Sequence, residues 1–285
     1  MSPLLFVIAL LAALDSPAPD TRERQWQQDV AALAPAKSKL LQIVAQSDKA
    51  GQEGAKAKLH EGPLLRWSNP TAGSVYGEVY LWSIDNRPAA VASIYRWYHP
   101  YKDSTVEIVS LTSHLLEARE KDAVAWQSST AGVVYKPLPK VPAVAASKGA
   151  RLGQMRAIAR SFSAELTDKR GGDDVRRKLR LLNQPVYRYE SPKFGVVDGA
   201  MFALVEVTDP EVWLIVEAIH EDGAERWQYA LARMNADALE IRLNDAIVES
   251  WQRVVDPWRN RKAPYTLFGF DPKLVPLEKP KEAAP

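Results

Sequence analysis

Residues 63–88 read PLLRWSNPTAGSVYGEVYLWSIDNRP, and much of this segment returns at residues 185–210 as PVYRYESPKFGVVDGAMFALVEVTDP. Aligned without a gap, the two segments share seven residues, and Trp67 coincides with Tyr189. The shared pairs are Pro63/Pro185, Arg66/Arg188, Pro70/Pro192, Gly73/Gly195, Val75/Val197, Gly77/Gly199 and Pro88/Pro210. We interpret this match as an internal duplication, which concerns architecture and does not by itself assign an activity.

A second match follows at nearly the same offset, further along the chain. Glu117, Arg119, Asp122 and Ala123 correspond to Glu240, Arg242, Asp245 and Ala246, and Trp126 has a counterpart in Trp251. Both segments read as a hairpin around a polar turn. Two separate matches at nearly one offset favour duplication of a whole structural unit.

Alternating apolar and aromatic residues predict strands on either side of polar turns. Residues 75–82 alternate valine and leucine with tyrosine and tryptophan, and a turn at 85–88 leads to a second strand at 89–98. The later segment repeats the plan with strands at 199–207, 212–219 and 226–234. Because both strand faces are apolar, we expect each sheet to be covered on both sides. The glycines predict a bulge or a close backbone approach within a strand.

Residues 19–62 are predicted to form a helical arm. Pro35 interrupts its apolar stripe, so we expect a short helix and then a longer one from Ala36, ended by Gly51 and Gly54. Residues 149–167 carry a second helical stripe, which includes Leu152 and Met155.

The predicted fold class is therefore α+β. It has two similar antiparallel β-meander units of five or six strands, each preceded by a helix and joined into one body. The predicted divisions are a signal peptide at 1–18, the helical arm at 19–62, the first β-rich unit at 63–136, a Pro/Ala linker at 137–147, a helix plus the second β-rich unit at 148–255, and a Pro/Lys-rich tail at 256–285. Within the tail, we expect residues 265–270 to pack and residues 274–285 to be disordered. The cleft between the units is the default binding site.

The N-terminal run at residues 4–14, LLFVIALLAAL, is too short to span a bilayer and is followed by a polar, proline-rich segment. It fits the apolar region of a secretory signal, with Ala13 and Ala18 as candidate small residues at the cut. We therefore expect export to the periplasm or the exterior, and no transmembrane span in the mature chain. A short uncleaved anchor or a buried helix are the alternatives.

Composition excludes several classes of site. The 285 residues include no cysteine and four histidines, and the formal net charge is +2. Disulfides, thiolate metal sites and cysteine nucleophiles are therefore excluded, and we expect no metal, no cofactor and no nucleic-acid partner. The densest group of basic residues is interpreted as a solvated surface, with a docking patch for an acidic partner as the alternative. Its members are Arg151, Arg156, Arg160, Lys169, Arg170, Arg176, Arg177, Lys178 and Arg180.

Arg66, Trp67, Arg188 and Tyr189 are the predicted ligand-binding residues. In each pair an arginine precedes an aromatic residue, so the guanidinium would hold an anionic group while the ring stacks beside it. The alternative is a structural arginine that pairs with a carboxylate, and equivalent residues in both segments favour it. The aromatic stripe of Tyr76, Tyr80, Trp82, Tyr95 and Trp97 is typical of core, with a sugar- or peptide-binding platform as the alternative.

No catalytic signature is present. We find no nucleophile elbow, phosphate-binding loop, dinucleotide fingerprint or HExxH helix, and no catalytic residue is predicted. Glu206, Glu211 and Glu217 are acid and base candidates whose strand faces the sequence leaves open. The favoured function is a non-catalytic exported protein that binds a small ligand, a glycan, an envelope component or a protein partner. The alternative is a hydrolase of unfamiliar type acting on envelope or extracellular polymers, which requires carboxylates of perturbed pKa in one cleft.

The segments LLRWSNPTAGSVYGEVYLW (64–82), PVYRY (185–189) and YALARMN (229–235) resemble a family of uncharacterised exported bacterial proteins with RWSNP-type and YRY-type motifs. The resemblance covers roughly residues 63–251. The family has no assigned activity, so the resemblance implies an exported globular protein and carries no catalytic residues.

Overall fold

The computed structural model describes residues 21–46, 54–169 and 172–277. The protein is β-rich, with two α-helices and several antiparallel sheets. Within the described ranges, no helix is long and apolar enough to cross a membrane. The predicted signal peptide at 1–18 and the end of the predicted tail, 278–285, lie outside the described residues.

The same order of elements occurs twice along the chain. In the first half (residues 21–137) the elements are α1 Thr21–Leu40, β1 Leu41–Ala45, β2 Ala55–Lys56, β3 Lys58–Leu59, β4 Leu65–Ser68, β5 Ser74–Ile84, β6 Arg87–His99, β7 Ser104–Ser110, β8 Leu116–Glu120, β9 Ala123–Gln127 and β10 Lys136–Pro137. In the second half (residues 148–269) they are α2 Lys148–Arg160, β11 Phe162–Asp168, β12 Val175–Lys178, β13 Arg180–Leu181, β14 Tyr187–Ser191, β15 Val196–Glu206, β16 Asp209–Glu221, β17 Ala224–Arg233, β18 Ala238–Leu243, β19 Ala246–Trp251 and β20 Tyr265–Gly269. Short 3₁₀ turns occupy Pro192–Phe194 and Pro272–Leu274.

The strands form two inner and two outer sheets. The first inner sheet has the order β20-β7-β6-β5-β3, with β4 also paired to β5, and the second has the order β10-β17-β16-β15-β13, with β14 paired to β15. The outer sheets are β2-β1-β8-β9 and β12-β11-β18-β19. The final strand of each half pairs with β7 or β17 of the other half, so each inner sheet is completed by a strand from the opposite half of the chain.

Strand alternation divides the side chains into three buried layers. Leu81 and Val91 of the first inner sheet and Met201 and Ile215 of the second belong to one central core, so the inner sheets face each other. Tyr80, Trp82 and other residues on the opposite face of the first inner sheet pack under α1 and the first outer sheet. An equivalent layer lies between the second inner sheet, α2 and the second outer sheet. Both faces of each inner sheet are therefore covered, and Tyr80 and Trp82 are core residues rather than a binding platform.

The tip of each inner hairpin contacts the other half of the chain. Asp85 and Asn86 turn between β5 and β6 with positive φ angles of 47° and 65°. The Tyr187 hydroxyl donates to the Asn86 carbonyl at 2.9 Å. At the tip of the other inner hairpin, between β15 and β16, the Thr208 hydroxyl accepts a hydrogen bond from the Ser68 amide at 2.9 Å and donates one to the Ser68 carbonyl at 2.8 Å. These contacts fix the two inner sheets relative to each other.

Both helix predictions extend too far. Helix α1 continues through Pro35 and ends at Leu40, after which residues 41–45 form a strand, so the helix expected from Ala36 and the all-helical arm at 19–62 are wrong. The helix expected at 149–167 ends at Arg160, and Phe162–Asp168 is a strand. In both strands buried and more exposed residues alternate, and pairing with β8 or β18 satisfies the backbone.

Two segments outside the predicted β-rich units contribute to the sheets. Residues 137–147, which we predict as a linker, begin in β10 and include the buried Leu138. Tyr265–Gly269, within the predicted tail, forms β20. The predicted packing of residues 265–270 is therefore confirmed for this strand.

The repeated glycines Gly77 and Gly199 lie beneath aromatic rings. Trp67 pairs with Gly77 across β4 and β5, and Tyr189 pairs with Gly199 across β14 and β15. A Cβ atom at either glycine would overlap the ring of its partner. Glycine at these positions allows the ring to lie flat against the strand and to enter the central core.

We predict that Gly77→Ala lowers the free energy of unfolding by about 1–3 kcal/mol, because the added methyl group displaces the buried Trp67 ring. Gly153→Ala is the matched control: Gly153 lies in α2 with nothing near its Cβ position, and alanine there should stabilise the helix by about 0.5–1 kcal/mol. Urea unfolding of both variants measures the difference. Equal stability of wild type and Gly77→Ala would contradict this packing.

Candidate functional site

Arg66 and Trp67 lie on opposite faces of β4. The Arg66 guanidinium is largely exposed and donates from Nε to Glu78 Oε1 at 2.8 Å. The Trp67 ring is buried in the central core and donates its indole N–H to Ser93 Oγ at 2.8 Å. Both residues line a surface depression of about 310 Å³ beside α1.

Arg188 and Tyr189 follow the same pattern on β14. Arg188 makes a two-pronged contact with the buried Asp198, with Nε and Nη2 at 2.9 and 2.6 Å from its two carboxylate oxygens. The Tyr189 hydroxyl donates to Glu217 Oε1 at 2.6 Å inside the central core. The structure therefore does not bring the four predicted residues into one site. Both arginines pair with carboxylates, which favours the structural interpretation, and a ligand-binding role for them stays a prediction.

The basic residues around α2 also pair with acidic neighbours. Arg151 Nε lies 2.9 Å from Asp198 Oδ2, and Arg177 Nε lies 2.9 Å from Asp168 Oδ2. Arg176 Nη2 lies 2.9 Å from Glu165 Oε2. The exposed Arg176 agrees with the interpretation as a solvated surface. For Arg151 that interpretation is wrong, because its side chain is buried against Asp198.

A buried ion pair joins the two halves at one end of the central core. Arg87, at the start of β6, donates from Nε and Nη2 to the two oxygens of Glu217, each at 2.8 Å. Gln228 also donates to Glu217, at 2.7 Å, and the Arg87 guanidinium lies over the Tyr135 ring at 4.2 Å. We call this group, together with Tyr189, the Arg87 network. Every oxygen of its buried carboxylate is paired.

An acidic cavity lies elsewhere in the same core. It has a volume of about 150 Å³ and is bounded by strands of both halves. Three carboxylates line it: Glu107 of β7, and Asp209 and Glu211 of β16. Asn69 and Asn235 add amide groups to its wall.

The hydrogen bonds around this cavity leave one oxygen unmatched. Tyr265 donates its hydroxyl to Glu107 Oε1, and Asn235 donates its amide to Glu211 Oε2. Asn69 Nδ2 donates to Glu206 Oε2 at 2.9 Å. Glu211 Oε1 has no hydrogen-bond partner, although the residue is only 1% exposed. Such a group is rare in a folded protein and requires a physical explanation.

Burial shifts the protonation of both glutamates. Desolvation raises the pKa of Glu107 to about 7, opposed by the Tyr265 hydrogen bond and by the positive charge of Arg233. Desolvation also raises the pKa of Glu211 well above its usual range, and the negative charge of Asp209 adds to the effect. Glu107 therefore titrates near neutral pH, and burial favours the neutral form of Glu211.

Arg233 is a nearby cation whose guanidinium donates three hydrogen bonds to the backbone. Its Nε, Nη1 and Nη2 donate to the carbonyls of Asn235, Gln252 and Asp237 at 2.8, 3.0 and 2.6 Å. Its guanidinium also lies 5.4 Å from the Tyr265 ring centre. These contacts position Arg233 at the border of the cavity.

A larger pocket of about 480 Å³ lies beside Arg87 and includes His114 and Lys193. In this pocket Arg87 pairs with Glu217, and Lys193 Nζ pairs with Asp85 Oδ2 at 2.8 Å. Because both cations already have partners, this pocket is a weaker candidate for a ligand site than the acidic cavity. Among the described residues, no group of three or more histidine, aspartate or glutamate side chains is arranged to hold a metal ion.

Comparisons with protein-family models, with curated proteins and with solved structures give no match for this chain.

Sequence reasoning missed most of this cavity. Glu211 was among the acid and base candidates, but Glu107, Asp209, Asn69 and Tyr265 were not selected as site residues. The available signal was a glutamate inside an apolar strand, as in TVEIVS around Glu107 and PEVWLIV after Pro210. A charged residue at such a position is expected to be paired or functional.

We predict that the free energy of unfolding falls as the pH rises from about 5 to about 7.5. The pKa of Glu107 is raised to about 7 in the folded protein, so between the unfolded and the folded pKa the folded state binds a proton that the unfolded state has released. The stabilisation from this proton is complete below the unfolded pKa and is lost as the pH rises through the folded pKa. The loss amounts to roughly 3 kcal/mol at most. Glu107→Gln should flatten the dependence, and Glu211 should leave a residual slope of the same sign.

Urea unfolding at several pH values measures this effect. Glu225→Gln, an exposed position on β17, is the matched control and should keep the wild-type slope. An unchanged slope in Glu107→Gln would show that Glu107 is ionised in the folded protein at lower pH than we expect.

Proposed function

We propose that this chain is an exported, non-catalytic protein that binds a small ligand in the acidic cavity between two duplicated β-rich units. The observation that carries the proposal is the unpartnered, buried Glu211 Oε1 at the cavity wall. Leaving such a group unmatched costs about 1–3 kcal/mol, which a bound molecule with a hydrogen-bond donor would recover.

Several features support duplication as the origin of the two units. The element order is the same in both halves, β5 and β15 are both 11 residues long, and β6 and β16 are both 13 residues long. The pairing of an aromatic ring with a glycine occurs in both halves at corresponding ladder positions. Duplicated units commonly enclose a ligand site where they meet.

Export is supported by the apolar run at residues 4–14 and by the resemblance to exported bacterial proteins. The ligand-binding part of the proposal does not depend on the compartment.

A hydrolase is the second candidate, because two carboxylates of raised pKa line one cavity. Size argues against it. A cavity of about 150 Å³ is of the size that holds one benzene-sized molecule, which is smaller than a segment of a polymer. Binding of a small molecule therefore fits the cavity better than cleavage of a polymer.

The ligand-binding proposal is tested with Glu211→Met in the full-length protein. If Glu211 serves a ligand, removing its carboxylate should leave stability unchanged or raise it by about 1 kcal/mol, whereas Glu217→Met should lower it by about 3 kcal/mol by leaving Arg87 buried and unpaired. Chemical unfolding measures both. In a thermal-shift screen of small amines, alcohols, carboxylates and sugars, a ligand should raise the Tm of wild type and not of Glu211→Met.

A strong loss of stability in Glu211→Met would identify Glu211 as a structural residue and contradict the proposal. Polymer cleavage that disappears in Glu107→Gln, but persists in Glu225→Gln, would favour the hydrolase.

Export is tested by fusing residues 1–30 to alkaline phosphatase, an enzyme that becomes active only where its disulfides form. We predict phosphatase activity in intact bacteria and its loss with Ile8→Arg, which interrupts the apolar run. Activity that is absent from the wild-type fusion, or equal in both fusions, would contradict export through this segment.

A further inference from the structure

We propose that the acidic cavity binds a small primary ammonium ion. This inference deepens the proposed function, on which it rests, by naming the class of ligand. The first step concerns Glu211 Oε1, which has no partner in the protein and can accept a hydrogen bond from a ligand once the carboxyl has released its proton. The guanidinium hydrogen bonds of Arg233 go to backbone carbonyls rather than to this carboxylate. A cationic donor would satisfy the oxygen and balance the surrounding carboxylates at the same time.

The Arg87 network shows how this protein holds a cation in the same core. There a buried carboxylate, Glu217, receives a guanidinium that lies 4.2 Å from the Tyr135 ring and 5.4 Å from the Phe194 ring. Arg87 opens β6 and is paired with Ile84 across the hairpin. The combination of carboxylate and aromatic ring is a general means of binding cations.

The corresponding position of the other inner sheet carries the opposite charge. Asp209 opens β16 and is paired with Glu206 across its hairpin, as Arg87 is with Ile84. The position that supplies a cation to the Arg87 network therefore supplies a carboxylate to the acidic cavity. A cation bound beside Asp209 would place at this position the charge that Arg87 supplies in the other inner sheet.

The walls and the size define the ligand further. The rings of Trp67, Trp97, Tyr95 and Tyr265 line the cavity beside the carboxylates, and the Trp67 and Tyr95 ring centres lie 5.5 Å apart. Aromatic faces suit the short alkyl part of an amine, and a cavity of this volume holds a molecule of about the size of benzene. A primary ammonium offers N–H donors to Glu211 Oε1, whereas a quaternary ammonium has none.

Binding is expected to release protons. A bound cation favours the ionised carboxylate, so it should lower the raised pKa of Glu107 and Glu211, and affinity should increase as the pH rises from about 6 to about 8. The charged and titratable groups around these two glutamates are Asp103, Glu206, Asp209, Asp237, Arg233, Tyr95 and Tyr265.

The experiment is calorimetric titration of the full-length protein with propylammonium, at about pH 6 and about pH 8 in buffers of different ionisation enthalpy. Two probes serve as comparisons: 1-propanol, a neutral molecule with the same number of non-hydrogen atoms, and tetramethylammonium, a cation without N–H. We expect propylammonium to bind more tightly than both, with tighter binding and proton release at the higher pH.

The variants are Glu211→Gln and its matched control Glu221→Gln, an exposed position on the same strand. Glu211→Gln should weaken propylammonium binding by at least about tenfold, the value of one hydrogen bond to a charged group, while Glu221→Gln should not change it. Thermal melts establish that both variants are folded, and Glu107→Gln provides a second cavity variant that should weaken binding and remove much of the pH dependence.

Four outcomes would overturn the inference: no propylammonium binding to wild type, equal binding of 1-propanol, equal binding of tetramethylammonium, or displacement of the amine by Ca²⁺ or Mg²⁺ as the preferred ligand. If amines fail while another compound stabilises wild type and not Glu211→Met, the proposed function stands and the ligand class is wrong. If neither amines nor the wider screen produce a signal, and Glu211→Met is destabilised, the cavity holds water only and both proposals fail.

Discussion

The structure depends on burying both faces of each inner sheet. One face of each packs against the other inner sheet, and the opposite face is covered by a helix and an outer sheet. Strands of this kind cannot present a polar face to water, so a polar side chain directed into the central core is costly unless it finds a partner inside it. Glu217 meets this constraint through Arg87, Gln228 and Tyr189. Glu211 meets it through only one of its two oxygens. The Trp213 indole N–H and the Tyr135 hydroxyl also lack a partner, but Glu211 is the carboxylate among these three groups.

The constraint also explains why the chain crosses between the two halves. An inner sheet that ended at β7 or β17 would leave an unpaired edge beside the core, and β20 and β10 cover these edges from the opposite half. The hairpin tips at Asn86 and Thr208 add reciprocal hydrogen bonds. The cavity walls are therefore held by contacts that involve both halves of the chain. A site built in this way is more rigid than one formed by loops, which suits recognition of a small ligand by a few polar groups.

The inner hairpins could be predicted from sequence because a period of two residues and turn residues such as Asp85 and Asn86 are local signals. The strands at Leu41–Ala45 and Phe162–Asp168 were missed because each follows a helix directly, and a short apolar run has no periodicity that separates a strand from another helical turn. The cavity could not be predicted because Glu107 and Glu211 lie far apart in the chain. They meet only when two inner sheets stack face to face, and no local pattern encodes which strand positions come together.

The two buried polar groups differ in a way that bears on function. In the duplication that we propose, corresponding positions begin with the same residue, and changes that harm stability are lost unless they bring another advantage. Arginine at position 87 gives a carboxylate with every oxygen paired, whereas Asp209 adds negative charge beside carboxylates that burial already makes costly to ionise. Folding alone favours the first arrangement in both places. The cluster of carboxylates around Asp209 therefore has a rationale beyond folding if a positively charged molecule binds there. The stability that the carboxylates cost the protein without this molecule would then be recovered on binding.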